Sequence, residues 1–222
     1  MTGRIYIDLF TTLDGVAQAP GGPEEDPSNG FPYGGWQAPF PDETIGASIG
    51  KGISELDALL LGRRTYDIFA GYWPHQSGKI ADALNSAPKY VASRGLPTLE
   101  WEGSSQLGMD LNREVEALRE KHENIHVIGS VDFVQTLLKE QLFDVLTLWV
   151  YPVVLGQGKK VFPEGAHPAN VRLLEPAVTG PLGVLQLRYG PAPGEHVIGL
   201  RYVDPTSGRE GRLATVTVRA TR

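Results

Sequence analysis

Small and positively charged residues occur directly after three short apolar segments of this chain. Gly62-Arg63-Arg64-Thr65 follows the first segment, Ser93-Arg94 follows the second, and Gly129-Ser130 follows the third. Small residues let a ligand approach backbone N–H groups, helix N-termini favour anions, and arginine can bind phosphate with two parallel hydrogen bonds. If the three segments are neighbouring parallel strands, their carboxyl ends would together form a site for a phosphate-rich nucleotide.

Each of these groups also has an ordinary structural explanation. Arg63 and Arg64 could be solvated surface side chains. Ser93-Arg94 could be a simple turn, and Ser130 is a favoured helix N-cap residue. Their occurrence at equivalent ends of three strands, with arginines clustered there in an acidic chain, favours a nucleotide site over three unrelated features.

The elements that must position these residues alternate between strand and helix along the first two thirds of the chain. Short apolar segments predict strands, and apolar residues at helical spacing predict helices. The predicted strands are Ile5–Thr12, Ala58–Leu61, Lys89–Ala92 and Ile125–Ile128. The predicted helices are Asp42–Leu56, Gly62–Phe69, Asp110–Lys121 and a segment after Ser130 that contains Phe133–Leu138. Strands separated by helices imply a parallel sheet with right-handed crossovers.

After the last predicted helix the pattern changes to strands alone. The predicted strands are Val145–Leu155, Val184–Tyr189, and His196–Val203 with Leu213–Val218 on either side of a turn at 204–208. We therefore predict an α/β fold with a mixed, mainly parallel central sheet flanked by helices and with a C-terminal β-hairpin. The hairpin could be a dimer edge, a pocket wall or an inert addition, so a homodimer is one expected form.

A segment rich in proline and glycine, Gln18–Pro41, is too long to be an ordinary connection. It carries Phe31, Tyr33, Trp36 and Phe40. A solvated tether has little use for four large aromatic side chains. We therefore predict a packed lid over a flexible tether, and the segment Gln18–Pro41 is called the lid below.

The composition excludes several classes of function. At 222 residues the chain suits one large domain, and its formal charge of −6 argues against nucleic acid or an anionic membrane as its main partner. It contains no cysteine, so thiolate chemistry is excluded. The five histidines lack metal-ligand spacing, and no phosphate-loop, Rossmann or serine-hydrolase motif occurs. Because no signal peptide or membrane-spanning segment is predicted, we expect a cytoplasmic protein. We further expect it to bind a small molecule and no metal.

Five short motifs occur in the order typical of one known family. They are Leu13-Asp14-Gly15, Leu59–Tyr66, Val91-Ala92-Ser93, Val127–Ser130 and Pro152–Gly158, with Phe162 behind the last. Over about residues 4–190 the chain resembles the dihydrofolate-reductase-like superfamily. It is most similar to the reductase (C-terminal) domain of the bacterial riboflavin deaminase–reductase and its stand-alone relatives. The resemblance implies an NADPH-binding domain over 1–190, with 191–222 as a hairpin extension packed on the same domain.

The resemblance also implies how individual residues would hold NADPH across the strand ends. Gly62-Arg63-Arg64-Thr65 would hold the diphosphate and the adenosine side, and Ser93-Arg94 would hold the adenosine 2′-phosphate. Ile128-Gly129-Ser130 would meet the diphosphate; the family has a doubled glycine where this chain has Gly129 and Ser130. The segment Asp14–Ala17 would lie near the nicotinamide, and Ala17 would contact the cofactor.

The resemblance further implies an NADPH-dependent reductase of a small, planar organic substrate that is pterin- or aminopyrimidine-like. Hydride transfer is the chemistry of the cofactor, so the protein must orient the nicotinamide and manage a proton. Asp14 is the predicted catalytic proton donor, with Asp42, Glu43 or solvent as alternatives. The predicted substrate-binding residues are Trp36, Asp42, Tyr66 and Tyr151.

Structural explanations stay open for several of these side chains. Asp14 with Gly15 makes a good turn, Asp42 is a good helix N-cap, and helical aromatics such as Tyr66 are more often part of a core. A second hypothesis is a non-catalytic ligand-binding module on the same fold, because a fold does not determine a function.

Overall fold

The computed structural model describes residues 2–192, 195–203 and 210–219. Its helices are α1 (Glu43–Glu55), α2 (Arg63–Tyr72), α3 (Lys79–Ser86), α4 (Leu111–Lys121) and α5 (Val131–Lys139). Its first six strands are β1 (Arg4–Thr12), β2 (Ala58–Gly62), β3 (Lys89–Ala92), β4 (Ser104–Gln106), β5 (Asn124–Ile128) and β6 (Val145–Tyr151). The remaining strands are β7 (Val171–Leu173), β8 (Val178–Thr179), β9 (Leu185–Pro191), β10 (Glu195–Val203) and β11 (Glu210–Arg219). None of the helices in this described part of the chain combines the length and apolar character needed to cross a bilayer.

One sheet contains all strands from β1 to β9, in the order β4-β3-β2-β5-β1-β6-β9-β7, with β8 beside β9. The pairs within β1 to β6 are all parallel. Strand β9 runs antiparallel to β6, and β7 and β8 run antiparallel to β9. The sheet is therefore mixed and mainly parallel, flanked by helices, which confirms the predicted fold class.

The C-terminal hairpin is present as the antiparallel pair β10 and β11, which forms a separate two-stranded sheet. The turn expected at 204–208 lies outside the described residues. That the hairpin packs on the same domain stays a prediction.

The structure corrects the expected length of β6. The predicted strand reached Leu155, but β6 ends at Tyr151. Proline has no backbone N–H for a strand pair, so Pro152 ends the strand. The chain then folds back on the loop after β1, where the Val153 carbonyl accepts a hydrogen bond from the Leu13 N–H at 2.9 Å. Sequence patterning also missed α3, β4, β7 and β8, which are too short to show a clear periodicity.

Alternation along β1 separates the two faces of the sheet. Ile5, Ile7 and Leu9 are buried on one face, called the first face, where they pack with apolar residues of α4 and α5. The intervening residues Tyr6, Asp8 and Phe10 point to the opposite, second face, because successive side chains of a strand alternate. The helices α1, α2 and α3 and the lid lie on this second face.

Two apolar clusters cover the second face. The lid cluster joins lid aromatics to β6, and consists mainly of Phe31, Trp36, Phe40, Trp149, Tyr151 and Phe10. The α2 cluster consists mainly of Leu59, Leu61, Tyr66, Leu84, Val91 and Trp101. Helix α1 runs along both, since Ile49 contacts the lid cluster and Ile53 contacts the α2 cluster.

The lid is packed, as predicted. Phe31 is 7% exposed and Trp36 is 6% exposed, whereas Tyr33 remains 43% exposed. The indole N–H of Trp36 donates to the carbonyl of Gln18 at 2.7 Å, so its one polar atom is paired inside the cluster. Full burial of a large apolar side chain contributes roughly 1.5–3 kcal/mol, so these aromatics anchor a segment that its composition alone would leave loose.

Candidate functional site

Three strand ends meet at one edge of the sheet. Strands β3, β2 and β5 are consecutive neighbours and run parallel, so their carboxyl ends lie side by side. The groups that follow them are Ser93-Arg94, Gly62-Arg63-Arg64-Thr65 and Gly129-Ser130. The structure therefore brings the three predicted groups to the same edge. Their role in binding a nucleotide stays a prediction.

The turn after β5 packs closely on the start of α2. Ser130 Oγ accepts a hydrogen bond from the Gly62 N–H at 2.9 Å. A Cβ atom on Gly62 would lie 2.7 Å from that Oγ and 2.9 Å from the Phe133 Cβ, so only glycine fits there without a shift. Gly129 has a backbone φ of +79°, and a Cβ atom added there would lie 3.5 Å from the Thr65 side chain. The turn thus needs small residues for contacts within the protein as well as for ligand approach.

The two arginines after β2 have different surroundings. Arg63 Nε donates to both carboxylate oxygens of Asp67, at 2.7 and 2.8 Å, and its side chain is 40% exposed. Arg64 Nη1 donates to Ser28 Oγ at 3.2 Å, at the lid, and its side chain is exposed. Arg64 has a neutral partner in this contact, so it is the more available cation of the pair.

The third predicted group lies at the more open end of the edge. Ser93 Oγ accepts a hydrogen bond from the Gly95 N–H at 3.3 Å. Arg94 is exposed and makes no hydrogen bond or ion pair with the described residues. A serine hydroxyl in such a turn and a free guanidinium beside it are compatible with an anion, and equally with a solvated loop.

Lys159, a cation that the sequence analysis did not single out, lies at the same edge. Its Nζ donates to Asp26 Oδ2 at 2.5 Å and to Ser28 Oγ at 2.9 Å, both in the lid. Partial burial would raise the pKa of the Asp26 carboxyl, but the bonds from Lys159 and Ser28 outweigh it and lower that pKa. Lys159 and Arg64 therefore meet at Ser28. The sequence contained a signal for this residue, because Lys159 directly follows the Gly156–Gly158 motif.

A cavity of about 270 Å³ opens between the N-terminus of α5 and the loop that carries Lys159. It is lined by Val131 and Asp132 at the start of α5 and by Gly158–Lys160, Pro163 and Glu164. The helix end directly follows the Gly129-Ser130 turn, so the cavity and the strand-end groups are contiguous along the chain. N–H groups at a helix N-terminus favour anions, but the two lysines of the lining are balanced by the carboxylates of Asp132 and Glu164.

Asp14 holds two loops together. Its carboxylate accepts hydrogen bonds from Thr12 Oγ1 at 2.6 Å, the Leu155 N–H at 3.2 Å and the Gly156 N–H at 2.8 Å. Partial burial would raise its pKa, but these bonds outweigh that effect and lower the pKa below 3.8. Asp14 is thus held as a carboxylate at neutral pH, which favours a positioning role. Its role as proton donor stays a prediction.

Ala17 ties the same two loops together beyond Asp14. Its N–H donates to the carbonyl of Lys159 at 2.8 Å, and its side chain packs against the core of the first face. The loop expected near the nicotinamide therefore lies beside the loop that carries Lys159.

Trp36 and Tyr151, two of the predicted substrate-binding residues, lie together. Their rings meet edge to face with centroids 5.5 Å apart, and Gln37 Nε2 donates to the Tyr151 hydroxyl at 2.7 Å. Burial, with a smaller contribution from the charge of Asp42, raises the pKa of Tyr151 to about 12 despite the bond from Gln37. The hydroxyl therefore stays protonated across the physiological range.

The other two predicted substrate residues have structural contacts of their own. Asp42 caps α1 by accepting from the Ile45 N–H at 3.1 Å, and it also accepts from the Leu182 N–H at 3.1 Å. Tyr66 is buried in the α2 cluster, where its hydroxyl accepts from the Trp101 N–H at 3.0 Å. Tyr66 is therefore in a different cluster from Trp36 and Tyr151, and a substrate role for it stays a prediction.

Asp8 and His126 form a second group that the sequence analysis missed. His126 Nδ1 and Asp8 Oδ2 are 2.8 Å apart on the second face of the sheet. The residues are 118 positions apart in the chain, so no local motif connects them. Only the pairing of β1 with β5 brings them together.

Residues 4–182 match the RibD C-terminal domain family, and the chain belongs to that family. The sequence is 26% identical over 196 residues to the uncharacterized protein YyaP of Bacillus subtilis (strain 168), covering 84% of this chain and 94% of that protein. The relationship with the reductase domain of the riboflavin deaminase–reductase is therefore confirmed at the level of the family.

Solved structures share the fold. A pyrimidine reductase-like protein of Corynebacterium diphtheriae superposes with a TM-score of 0.57 at 13% identity, over 86% of this chain and 93% of the other. Dihydrofolate reductase of Enterococcus faecalis, complexed with NADP(H), superposes with a TM-score of 0.51 at 16% identity, over 86% of this chain and 98% of the other. These similarities confirm the dihydrofolate-reductase-like fold.

Proposed function

We propose that this protein is an NADPH-dependent reductase of a small, planar organic substrate that is pterin- or aminopyrimidine-like. The observation that carries the proposal is the meeting of three strand ends at one edge, together with Lys159 and Arg64 at Ser28. Membership of the RibD C-terminal domain family, together with the fold shared with a pyrimidine reductase-like protein, supports the reaction type. The bound NADP(H) of the Enterococcus dihydrofolate reductase supports the cofactor class.

The residues at this edge fit a dinucleotide phosphate. Gly62 and Gly129 let the turn after β5 pack closely on the start of α2, and Arg64 is an exposed cation at this edge, beside Arg63 and Lys159, which are paired with Asp67 and Asp26. In this proposal Thr65, Ser130 and the backbone of Ile128 meet the diphosphate, and Ser93-Arg94 meets the 2′-phosphate. NADPH would supply a hydride, and the loop from Asp14 to Ala17 would orient the nicotinamide.

The substrate would lie on the second face of the sheet, beside the lid cluster. Trp36 and Tyr151 are 6% and 2% exposed, so in this proposal they would support the substrate from within the lid cluster, and Asp42 would contribute a carboxylate at its margin. Tyr66, which is 1% exposed, would support the opposite side from the α2 cluster. A cytoplasmic location and a homodimer belong to the same proposal.

Calorimetric titration with NADPH and NADH tests the cofactor assignment. We expect R94A to lose roughly 1.5–3 kcal/mol of NADPH binding, the value of a hydrogen bond to a charged group, because Arg94 is proposed to meet the 2′-phosphate. NADH binding by R94A should change much less, because NADH lacks the 2′-phosphate. R63A and R64A, proposed at the diphosphate, should weaken the binding of both nucleotides alike. The matched control is R4A, an exposed arginine at the start of β1 and therefore at the opposite edge of the sheet.

Two results would contradict this assignment. Equal losses for NADPH and NADH in R94A would remove the role of Arg94 at the 2′-phosphate. A wild-type protein that ignores both nucleotides but binds a pterin would instead favour the non-catalytic binding module.

A further inference from the structure

The contact between Asp8 and His126 belongs to the centre of the sheet. Asp8 pairs in register with Ile128, and Tyr6 pairs with His126, on neighbouring parallel strands β1 and β5. The His126 side chain is 8% exposed and that of Asp8 is 18% exposed. The ring of Tyr6 stacks on the imidazole at 4.9 Å between centroids. Stacking and hydrogen bonding therefore fix the orientation of the imidazole.

One polar atom of each side chain remains available. The Nδ1–Oδ2 contact is the one hydrogen bond of both side chains within the described residues, so Nε2 and the second carboxylate oxygen have no protein partner there. The fully enclosed, unpaired polar atoms of the same part of the chain are on Ser104, Arg119 and Asn170. His126 Nε2 is not among them, although its side chain is only 8% exposed. A buried histidine thus keeps one nitrogen without a protein partner in the described part of the chain.

Stability does not explain this pair. Neighbouring positions on the second face carry apolar side chains, including Phe10, Leu59 and Ile128. Removing an ionisable pair from water costs free energy that the contact itself often fails to recover, so apolar residues would serve a core equally well. A polar atom that stays unpaired on a buried side chain calls for an explanation, and a catalytic role provides one.

The pair also lies directly below the proposed cofactor edge. The carbonyl of Asp8 accepts a hydrogen bond from the Gly129 N–H at 3.3 Å. Gly129 is the first residue of the turn proposed to meet the diphosphate. On the sheet, the pair of Asp8 and His126 lies between Phe10 of the lid cluster and Leu59 of the α2 cluster. A planar substrate lying on this face below the nicotinamide would reach the unpaired nitrogen.

We propose that His126 is the catalytic proton donor of the reduction and that Asp8 positions it. This inference rests on the proposed function. His126 gives the proton on Nε2 to the nitrogen or oxygen of the substrate C=N or C=O bond whose carbon accepts the hydride of NADPH. The π bond breaks, one C–H bond and one N–H or O–H bond form, and NADP⁺ and neutral imidazole remain. Water then returns the proton to Nε2.

Asp8 fixes the geometry of this transfer. By accepting from Nδ1–H it determines which ring nitrogen faces its carboxylate, and therefore directs Nε2 toward the substrate. The titratable side chains in contact with His126 are Asp8 by hydrogen bond and Tyr6 by stacking, both on β1; the facing residue of β2 is Leu59. Asp14, which is held as a carboxylate by three donors, is then free to hold the loops rather than supply the proton.

The variants H126Q and D8N test the proposal. General acid catalysis contributes about 10²–10⁴-fold, so we expect H126Q to lose at least 100-fold in kcat for reduction of a pterin or aminopyrimidine, with little change in KM. D8N should lose less, because its amide oxygen can still accept from Nδ1. NADPH affinity by calorimetry should stay within about twofold for both, which also shows that they fold.

The matched control is H122Q. His122 is also partly buried and hydrogen-bonded, with Nε2 at 2.8 Å from the Tyr90 hydroxyl, but it precedes β5 and lies at the opposite edge of the sheet. H122Q should keep wild-type kcat, whereas H126Q should lose it. Full kcat in H126Q would overturn the proposal while leaving NADPH-dependent reduction intact.

A readout without turnover separates this inference from the proposed function. In ¹⁵N NMR of the imidazoles, adding pterin alone should shift the His126 Nε2 resonance and leave His122 unchanged. If the wild type binds no NADPH, the proposed function fails, yet a pterin shift at His126 still supports the site. No shift at His126 would overturn the inference even in a protein that binds NADPH.

Discussion

Ser130 allows the contact between two strand ends to be measured directly. Its hydroxyl accepts from the Gly62 N–H at 2.9 Å, and its backbone is left-handed, with φ 62 and ψ 64. Two substitutions separate these features. S130A removes the hydrogen bond and keeps the strained backbone, whereas S130G removes both the hydrogen bond and the strain.

The expected sizes follow from these two features. Leaving the partly buried N–H of Gly62 without an acceptor costs about 1–3 kcal/mol, so S130A should lower the free energy of unfolding by about 2 kcal/mol. Left-handed backbone costs a non-glycine residue roughly 1–2 kcal/mol, and S130G removes that cost. Glycine is also more flexible in the unfolded chain, which lowers the stability of S130G by roughly 0.5–1 kcal/mol. S130G should therefore be more stable than S130A by about 0.5–1 kcal/mol.

Urea unfolding followed by tryptophan fluorescence measures both differences. The slope with urea must stay constant across the variants, so that the midpoints report stability alone. T136A, at an exposed position of the same helix, is the control and should lie within about 0.5 kcal/mol of the wild type. S130A as stable as the wild type would show that the hydroxyl bond is unimportant. S130G less stable than S130A would refute the left-handed backbone at this position.

The remaining predictions concern stability away from the strand ends. G46A in α1 should raise the free energy of unfolding, measured with urea, by about 0.5–1 kcal/mol. The added Cβ meets no atom within 4 Å, and alanine favours the helix more than glycine does. A lower free energy of unfolding in G46A would contradict an open, helical position for Gly46. Burial lowers the pKa of Lys89 to about 8, although Glu102 opposes the shift. Between about pH 8 and about pH 10 the unfolded chain therefore binds more protons than the folded protein, and the free energy of unfolding should rise with pH because of Lys89. K89M should lack this rise. Equal dependence of the free energy of unfolding on pH in the wild type and in K89M would contradict the prediction.

Local sequence patterns predicted the elements whose burial is regular along the chain. Ile5–Thr12, Lys89–Ala92 and Ile125–Ile128 were recognised because each strand is a run of apolar or alternating residues. The end of β6 was missed because Val153 and Leu155 continue the apolar pattern beyond Pro152. Periodicity reports burial, and burial continues there in a loop packed on the lid cluster.

By itself, the sequence determined which residues follow each strand, and hence that small and cationic groups share one edge of a parallel sheet. Only the tertiary structure decided how they are used: Arg63 pairs with Asp67, whereas Arg64 and Lys159 meet at Ser28. The same holds for Asp8 and His126, which no motif connects. The physical reason is that strand and helix propensities act over a few neighbouring residues. Contacts between distant residues depend instead on strand order and register, which the packing of the whole sheet determines.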